Sequence, residues 1–472
     1  MSFLRDLSVL ILGLGDSGLA MARWCASHGV AELRVWDSRE QPPQAAALAA
    51  EVPQAQLFSG PLAAAQLGQS RLVLKSPGLA PADPRIAPLL EAARAIGLPV
   101  LGELDLFARA LADLRAERGY APKVLAITGT NGKTTNTSLT AQLVERAGRR
   151  VGVAGNIGPT LLDTLSAALA LEPLPAPADA PVDGGADEGA EAAEEDPSQA
   201  AVEAAAAPDD RTEPAAPAEA ATAPEDVVGQ YADSADTGEA ANDAPGVQGE
   251  SAALTAAEEE AAPAVLAPPP PKEPVFEHLP EVWVLELSSF QLDGVQGFAP
   301  SAATVLNITQ DHLDWHGDMA AYAAAKARIF GDDGVLVINR DDPLVEAMVP
   351  APVVVKGSRG KPGKTIARTV LRFGLDAPRA PGDFGLVTEG GIAWLVRALP
   401  ADPAIKRKKG EDEELVIQRL MPADALRIRG RHNASNALAS LALATAIGCP
   451  LDRKSTRLNS SHSQQSRMPS SA

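Results

Sequence analysis

KVLAITGTNGKTTNT, residues 123 to 137, is the stretch that decides the fold of this chain of 472 residues. Its apolar run from Val124 to Ile127 predicts a short buried strand, and the glycine-containing segment after it predicts a sharp turn. Lys133 then opens a predicted helix that continues through Leu143. Glycines let backbone N–H groups face an anion, while a helix N-terminus and a lysine supply positive charge. The stretch therefore predicts a phosphate-binding loop, in which the Thr134 hydroxyl can bind Mg2+.

The general phosphate-loop pattern would place its first glycine at position 127, where this chain has Ile127. The alternative interpretation is a glycine-rich turn with an exposed lysine. We favour the phosphate loop because the strand, the turn, the lysine, two threonines and the helix follow in the required order.

A second glycine motif lies near the start of the chain, where the predicted strand Leu7–Leu12 leads into Gly13, Gly15 and Gly18. A helix and a second strand follow, and that strand ends at Asp37. This is the dinucleotide fingerprint, with an acidic residue about 20 positions further on. Taken alone, it predicts an NAD-dependent oxidoreductase. Taken as a Rossmann-like unit, it leaves open which nucleotide is bound.

The net charge of −20 comes from one segment of the chain. Residues 171–280 hold 26 acidic and 2 basic residues, whereas the rest of the chain holds 35 acidic and 39 basic residues. Residues 167–274 are rich in Ala, Pro, Glu and Asp, which predicts a disordered insertion that acts as a tether, an acidic interaction segment or a neutral spacer. We interpret KRKKG at 406–410 as a solvated loop. No nucleic-acid partner is therefore expected.

Cysteine usage and hydropathy predict the compartment. Cys25 and Cys449 lie far apart without metal-ligand spacing, as expected of a reduced cytosolic protein. The first residues lack the features of a signal peptide, and no apolar run approaches the roughly 20 residues that span a membrane. We expect a soluble cytoplasmic monomer without membrane insertion.

Two segments further along the chain carry residues suited to metal binding. The predicted strand VWVLE ends in Glu286, a carboxylate at a strand tip that is well placed to hold Mg2+. His312 follows another predicted strand, TVLNIT at 304–309. An isolated histidine is more often structural, and the residue pattern alone makes Lys326, on the predicted helix MAAYAAAKARIF, a solvated lysine.

The loop variant T-G-T-N-G-K-T-T closely resembles the ATP loop of the Mur ligases, which build the peptide stem of the bacterial cell wall. LELSSFQL at 285–292 is similar to the members that add D-glutamate, as are WDSR at 36–39 and KSPGL at 75–79. DHLD at 311–314 and GRHNASNA at 430–437 also match patterns of this family. The resemblance covers residues 1 to about 452.

The resemblance implies a role for each matching residue. The implied catalytic residues are Lys133, Lys326, His312 and Asn156. The implied ATP-binding residues are Gly129, Thr130, Asn131, Gly132, Lys133, Thr134, Thr135, Asn433 and Asn436. The implied residues for a UDP-linked substrate are Ser17, Ser38, Arg39, Ser76, Pro77, Gly78 and Asn156, although Ser38 and Arg39 could instead cap a strand end. Two Mg2+ sites are implied, with the ligands Thr134, Glu286, His312 and a Lys326 that CO2 has carbamylated.

The implied fold is α/β, with a Rossmann-like UDP-substrate domain at 1–110 and a P-loop ATP-binding domain at 111–166 and 275–452. We expect the family's third, Rossmann-like domain to be missing, because the serine-rich tail 453–472 has no apolar periodicity and does not look native.

The implied activity is ATP-dependent ligation of D-glutamate to UDP-N-acetylmuramoyl-L-alanine through an acyl phosphate, in peptidoglycan precursor synthesis. One alternative is a UDP-sugar-binding remnant without ligase activity. The other, an NAD-dependent oxidoreductase, leaves the loop at 129–135 without a purpose.

Overall fold

The computed structural model describes residues 2–173, 274–355, 364–400 and 415–451. The predicted insertion, apart from its first residues and its last, lies outside these ranges, as do the basic patch at 406–410 and the tail at 453–472. None of the helices within the described ranges is long and apolar enough to span a membrane.

The first part of the chain forms a five-stranded parallel sheet in the order β3-β2-β1-β4-β5. Its strands are β1 (Ser8–Leu12), β2 (Glu32–Trp36), β3 (Gln56–Phe58), β4 (Leu72–Lys75) and β5 (Val100–Leu101). Its helices are α1 (Asp16–Ser27), α2 (Ala45–Glu51), α3 (Ala87–Ala95) and α4 (Glu103–Arg118). Parallel strands with helical crossovers are the expected Rossmann-like arrangement, so this prediction is confirmed.

The second part forms a nine-stranded sheet in the order β16-β15-β14-β13-β10-β9-β6-β8-β7. The strands from here on are β6 (Lys123–Thr128), β7 (Val151–Gly155), β8 (Val282–Glu286), β9 (Ala302–Val305), β10 (Val335–Asn339), β11 (Val353–Val355), β12 (Lys364–Ile366), β13 (Val370–Phe373), β14 (Phe384–Glu389), β15 (Ile392–Leu399) and β16 (Val416–Pro422). The helices are α5 (Lys133–Arg146), α6 (Leu161–Leu171), α7 (Ser289–Leu292), α8 (Leu313–His316), α9 (Met319–Ala327), α10 (Pro343–Glu346) and α11 (Arg431–Ala446).

Seven neighbouring strands of this sheet run parallel: β7, β8, β6, β9, β10, β13 and β14. Strands β15 and β16 extend the sheet in the antiparallel direction. Strands β11 and β12 form a separate antiparallel hairpin. Strand β6 lies inside the sheet between β9 and β8, and Leu125, Ala126 and Ile127 have no exposed surface. A strand that helices cover on both faces is apolar along its whole length. This burial explains the apolar run from Val124 to Ile127, from which the strand was predicted. The predicted P-loop α/β domain is therefore confirmed.

One predicted strand is wrong in its bounds. TVLNIT was expected to be extended over 304–309, but β9 ends at Val305. The backbone and side-chain groups of Asn307 and Thr309 form hydrogen bonds with the turn after β6 instead of a strand ladder. The residues that follow β9 therefore stabilise the turn after β6.

The two ends of the predicted insertion are held together. Helix α6 is anchored by the buried Leu162 and Leu165 and continues to Leu171, so the first residues assigned to the insertion are helical. The Glu172 carboxylate then accepts hydrogen bonds from the backbone N–H groups of residues 277, 278 and 279, at 2.7, 2.7 and 2.8 Å. This contact holds Glu172, next to the last described residue before the gap, beside residues 277–279, which follow the gap.

Candidate active site

The carboxyl ends of four parallel strands meet at one edge of the nine-stranded sheet. Ile127 of β6 pairs with Glu286 of β8, which also pairs with Gly155 of β7, and Thr128 pairs with Val305 of β9. Ligands of open α/β sheets bind at this edge. The structure thus brings together the glycine turn, Glu286, the residue after Gly155 and the residues after β9.

The predicted phosphate loop is a tight turn from β6 into α5. Gly129 and Gly132 have φ angles of +153° and +83°, which only glycine adopts without strain. The Lys133 ammonium folds back over the turn and donates to the carbonyl oxygens of Gly129 and Thr130, both at 3.0 Å. Carbonyl oxygens thus hold the lysine at the loop, where a phosphate can replace them as its partner.

Residues after β9 hold this loop in place. The Asn307 side chain accepts from the Asn131 N–H at 2.9 Å and donates to the Asn131 carbonyl at 3.0 Å. The Thr130 hydroxyl bonds the Tyr322 hydroxyl at 3.1 Å and accepts from the Thr309 N–H at 3.0 Å. Sequence reasoning missed Asn307 and Tyr322 as loop-supporting residues. The polar Asn307 between apolar residues at a strand end was a signal that could have identified the first of them.

Glu286 and Asn156 form one polar pair beside the loop. Glu286 is 2% exposed, and its Oε1 accepts from Asn156 Nδ2 at 3.2 Å, while Oε2 accepts no hydrogen bond from any described residue. The Asn156 N–H also donates to the Glu286 carbonyl at 2.7 Å. A carboxylate oxygen without a donor, on a residue that is otherwise buried, is suited to bind a cation.

Lys326 lies under the same loop and not in solvent. Its side chain is 2% exposed, and its Nζ donates to the Gly129 carbonyl at 3.0 Å and to the Thr128 hydroxyl at 3.2 Å. Burial and, to a smaller extent, the positive charge of Lys133 together lower the pKa of Lys326 to about 7, although Asp311 opposes this shift. The prediction of a solvated lysine from residue pattern alone is therefore wrong, and the placement implied by the resemblance fits.

His312 directly precedes α8 as its N-cap and has a positive φ of +53°, which is uncommon for a residue other than glycine. Its Nε2 lies 3.4 Å from Asp311 Oδ2, and its ring lies 4.7 Å from the Phe290 ring, centroid to centroid. The side chain is 45% exposed, so the imidazole is accessible to a ligand at the loop. Strained backbone of this kind concentrates at functional sites.

Helix α11 brings Asn433 and Asn436 to the loop. Asn436 Nδ2 donates to Asn433 Oδ1 at 3.3 Å, and the Asn436 carbonyl accepts from Asn136 Nδ2 at 2.8 Å. Ser440, one turn further, donates to the carbonyl of Asn136 at 3.3 Å. These contacts fix α11 against α5, so the two predicted asparagines lie at the start of the loop helix.

A separate polar site lies at the carboxyl edge of the five-stranded sheet. The turn from β1 to α1 is tight, because a β-carbon on Gly13 would lie 2.9 Å from Ser76 Cβ and one on Gly18 would lie 2.0 Å from the Gly13 carbonyl. Ser17 hydrogen-bonds the buried Glu103 carboxylate, and Ser38 accepts from Arg85 Nη1 at 2.9 Å. Sequence reasoning missed Arg85. The Ser76, Pro77 and Gly78 turn follows β4 at this same edge.

Asp37, at the end of β2, accepts four hydrogen bonds. Leu14 N–H donates to its Oδ2 at 2.8 Å, and Arg39 donates through its backbone N–H, Nε and Nη2 at 2.9, 2.8 and 2.9 Å. Burial alone would raise the pKa of Asp37, but these donors outweigh it and lower the pKa to about 2. In the NAD reading this carboxylate would bind ribose hydroxyls. Because both of its oxygens are already used, the structure does not favour that reading.

Known proteins match the chain along most of its length. A profile described as the Mur ligase middle domain matches residues 275–370, and one described as the Mur ligase MurD-like N-terminal domain matches residues 7–102. The UDP-N-acetylmuramoylalanine--D-glutamate ligase of Albidiferax ferrireducens is 48% identical over 453 residues, which cover 96% of this chain and 67% of that protein. The protein of the same name from a Polaromonas species is 41% identical over 539 residues, covering 96% and 73%.

The chain belongs to the Mur ligase family. Among solved structures, the UDP-N-acetylmuramate:L-alanyl-gamma-D-glutamyl-meso-diaminopimelate ligase from Neisseria meningitides aligns over 96% of this chain and 97% of that chain. The sequence identity in that alignment is 17% and the TM-score is 0.41.

The side chains around the phosphate loop of this Mur ligase supply some, but not all, of the ligands that a hard divalent cation requires. Glu286 offers a buried carboxylate oxygen, and Thr134 is exposed at the start of α5. Lys326 donates as an amine and could bind a metal only after conversion to an acid. Within the described part of the chain, no three His, Cys, Asp or Glu side chains are grouped to hold a metal. A cation held by Glu286 and Thr134 would complete its ligand set with waters or with oxygens of a bound phosphate.

Proposed function

We propose that the chain catalyses ATP-dependent ligation of D-glutamate to UDP-N-acetylmuramoyl-L-alanine through an acyl-phosphate intermediate. The carboxylate of the alanine residue attacks the γ-phosphorus of ATP and releases ADP. The amine of D-glutamate then attacks the acyl carbon, forming the amide and releasing phosphate. We place this reaction in the cytoplasm, in a monomer. The names of the two relatives, of which the chain spans 67% and 73%, support this choice of substrates.

The observation that carries the proposal is the convergence of the phosphate loop, Glu286 and Lys326 at one edge of the nine-stranded sheet. Phosphoryl transfer requires mainly positioning and neutralisation of negative charge. Lys133 meets this need, because its ammonium has two carbonyl oxygens as its hydrogen-bond partners among the described residues. Asn436, which lies beside Gly132, and Asn433, which accepts a hydrogen bond from Asn436, would contact the nucleotide.

Asn156 is proposed to orient the reacting end of the sugar substrate. Its backbone N–H and side-chain amide both bond Glu286, which fixes the turn after β7 beside the loop. The Asn156 side chain is exposed, so its amide oxygen can accept from a substrate while its Nδ2 remains on Glu286. Holding the acyl group near the γ-phosphate would supply much of the rate enhancement.

We further propose two Mg2+ sites, with Thr134 and Glu286 as protein ligands of one and His312 and carbamylated Lys326 as ligands of the other. These residues would hold Mg2+, which would supply positive charge to neutralise the phosphates. The depressed pKa of Lys326 supports its carbamylation, because only a neutral amine attacks CO2. The attack forms an N–C bond and releases one proton, and the product is an anion. Lys133, whose positive charge now lowers the pKa of Lys326, would then lie beside a negative group.

The UDP group of the substrate is proposed to lie at the carboxyl edge of the five-stranded sheet, over the Gly13 turn. The residues that we propose to contact it are Ser17, Ser38, Arg39, Ser76, Pro77 and Gly78. The start of α1 contributes backbone N–H groups and a positive dipole to bind diphosphate. Arg39 is half exposed beyond its contact with Asp37, so its guanidinium can meet a phosphate without leaving the carboxylate.

The test measures ADP release by the full chain with ATP, Mg2+ and UDP-N-acetylmuramoyl-L-alanine, with hydroxylamine present to trap an acyl phosphate. D-glutamate is then added and the amide product is measured by mass spectrometry. Lys133→Ala should abolish both ADP release and hydroxamate formation, while Lys123→Ala, an exposed lysine at the start of β6, should leave them unchanged. Near-normal turnover by Lys133→Ala would sink the proposal. Binding of the UDP-sugar without hydroxamate formation would instead support a binding protein without ligase activity.

A further inference from the structure

Glu103 is a buried carboxylate that has no part in the proposed reaction. It lies in the first turn of helix α4 and is 3% exposed. Burial raises the pKa of Glu103, although three hydrogen-bond donors oppose this shift. A buried carboxylate is unfavourable without such donors. The donors come from two other helices, α1 and α6, so Glu103 joins three helices at one point.

Two of the donors are the first N–H groups of α6. The Leu162 N–H donates to Glu103 Oε1 at 3.1 Å, and the Leu161 N–H also bonds this carboxylate. The following N–H group, of Asp163, donates to the Thr160 hydroxyl at 3.2 Å. A helix N-terminus leaves its N–H groups without partners in the helix and carries partial positive charge, so a carboxylate stabilises it. The start of α6 is therefore held by a side chain of α4.

The third donor is the Ser17 hydroxyl, in the first turn of α1. Because a carboxylate can only accept, the hydroxyl proton of Ser17 is directed at Glu103 and not at a substrate. The Ser17 backbone N–H lies in the first turn of α1, where a helix leaves such groups free for an anion. Arg23 of α1 also pairs with Asp163 of α6 at 3.0 Å. Helices α1 and α6 are thus joined both directly and through Glu103.

The starts of these two helices belong to opposite ends of the proposed substrate site. The first turn of α1 faces the proposed position of the UDP group. Helix α6 follows the short turn that carries Asn156, the residue proposed to orient the reacting end. The Gly155 N–H donates to the Pro159 carbonyl at 3.2 Å, which closes this turn directly before α6. The position of Asn156 therefore depends on the start of α6, which Glu103 holds.

We propose that Glu103 is a positioning residue, which sets the distance between the UDP end and the acyl end of the substrate site by holding α1 and α6 on one carboxylate. This inference rests on the proposed function and adds to it a reason why the site would prefer a substrate that reaches both ends. A ligand with two binding ends gains affinity over either end alone only when the protein holds both positions at the right spacing. Glu103 acts through Ser17 and α6 and does not contact the ligand.

The test measures, by calorimetry on the full chain, the affinities for UDP and for UDP-N-acetylmuramoyl-L-alanine. Glu103→Gln replaces an accepting oxygen with an NH2 group, so at least one of the three donors loses its partner. UDP should bind within about 2-fold of the parent chain, while the gain in affinity of the full substrate over UDP should fall about 10-fold. Glu103→Asp keeps the carboxylate and should recover part of this gain. Ser17→Ala should also reduce the gain, and the double variant Ser17→Ala with Glu103→Gln should lose no more than Glu103→Gln alone, because the two residues act as one unit.

Asp105→Asn is the matched control, because Asp105 is a carboxylate in the same turn of α4 and is 8% exposed. It accepts from the N–H groups of Gly102 at 2.8 Å and Gln296 at 2.7 Å, which belong to neither α1 nor α6. This variant should lower the free energy of unfolding in urea, as Glu103→Gln does, yet leave the gain of the full substrate over UDP unchanged.

The inference is overturned if Glu103→Gln retains the full gain, or if it weakens UDP and the full substrate by the same factor, as a merely structural role would. It is also overturned if the parent chain binds the full substrate no more tightly than UDP. Hydroxamate formation by the parent chain tests the ligation separately. A parent chain that shows the gain but forms no hydroxamate would refute the proposed reaction, and Glu103 would still be judged by the two affinities.

Discussion

Gly132 and Asn436 lie so close that a β-carbon on Gly132 would be 2.7 Å from Asn436 Oδ1. The two residues are about 300 positions apart in sequence, and their contact joins the start of helix α5 to helix α11. Helix α11 thus packs directly against the last glycine of the phosphate loop. This coupling makes the asparagine part of the loop geometry as well as a proposed nucleotide contact.

Gly132→Ala should therefore damage the loop in two ways. The new β-carbon meets the asparagine, and alanine at a φ of +83° is strained by about 1–2 kcal/mol. We expect a lower free energy of unfolding in urea and weaker binding of ADP by calorimetry. The double variant Gly132→Ala with Asn436→Ala should recover part of the stability, because it removes the collision but keeps the strained φ. Strict additivity of the two substitutions would contradict this contact.

Lys326 should make stability depend on pH. Its folded pKa, about 7, lies below its ordinary value of 10.5, so between these values the unfolded chain binds more protons than the folded chain. The free energy of unfolding should then rise with pH from about 7 upward, by at most about 1.4 kcal/mol per pH unit from this group. Urea denaturation in CO2-free buffer, of the parent chain and of Lys326→Met, isolates the contribution. Equal slopes in the two proteins would refute the depressed pKa.

Carbamylation of Lys326 gives a separate prediction. With 13C-labelled bicarbonate, the parent chain should show a carbamate carbonyl signal by NMR that Lys326→Met lacks. Lys133→Met should weaken the signal, because the neighbouring positive charge that favours the carbamate is gone. Lys123→Met, at the start of β6, is the control for the loss of a lysine away from the loop. A signal of equal strength in Lys326→Met would assign the carbamate to another amine.

Asp37 should contribute more to stability than its partner Arg39. Asp37→Asn removes a buried carboxylate with four donors and is expected to cost about 1–3 kcal/mol. Arg39→Met should cost about 1 kcal/mol or less, since the arginine side chain is 52% exposed. Since the folded pKa of Asp37 is about 2 against an ordinary 3.8, its contribution is present above pH 3.8 and is lost as the pH falls toward 2. A larger loss in Arg39→Met than in Asp37→Asn would reverse this assignment.

Glu172→Gln tests the clamp that joins α6 to residues 277–279. Burial alone would raise the pKa of Glu172, but the three N–H donors outweigh it and hold the pKa below its usual range. Glutamine has only one side-chain oxygen and no charge, so at least one N–H loses its partner. We expect faster amide hydrogen exchange at 277–279 and an unchanged affinity for ADP at the distant loop. Unaltered exchange would mean that the carboxylate contributes little there.

The sequence predicted the parts of the fold that depend on local pattern. The apolar run of β6, the glycine turn and the start of α5 were all found, because buried parallel strands and phosphate turns each leave a local signature. The strands from β13 to β16 were not found, since their alternation is short and interrupted. The bounds of β9 were wrong because the partners of Asn307 lie about 176 positions away in sequence.

Burial of single polar side chains was the least predictable feature. Helix α9 is rich in alanine, so its sequence does not show which face is buried, and only tertiary contacts place Lys326 under the loop. The pairing of Asp37 with Arg39 likewise depends on the turn after β2 and on the Leu14 N–H. The positions of these polar side chains depend on contacts in the assembled fold, and the periodicity of apolar residues in the sequence does not reveal them.

The clamp at Glu172 has a consequence for how this protein can change in evolution. Two neighbouring strands, β7 and β8, are joined through more than a hundred residues of sequence, yet the chain is fixed on both sides of that connection. Because the entropy of closing a loop grows only logarithmically with its length, additions there cost the sheet little. The position is a natural acceptor for new sequence: domains, tags or regulatory segments can be gained or lost at it while the nucleotide-binding edge of the sheet is inherited intact.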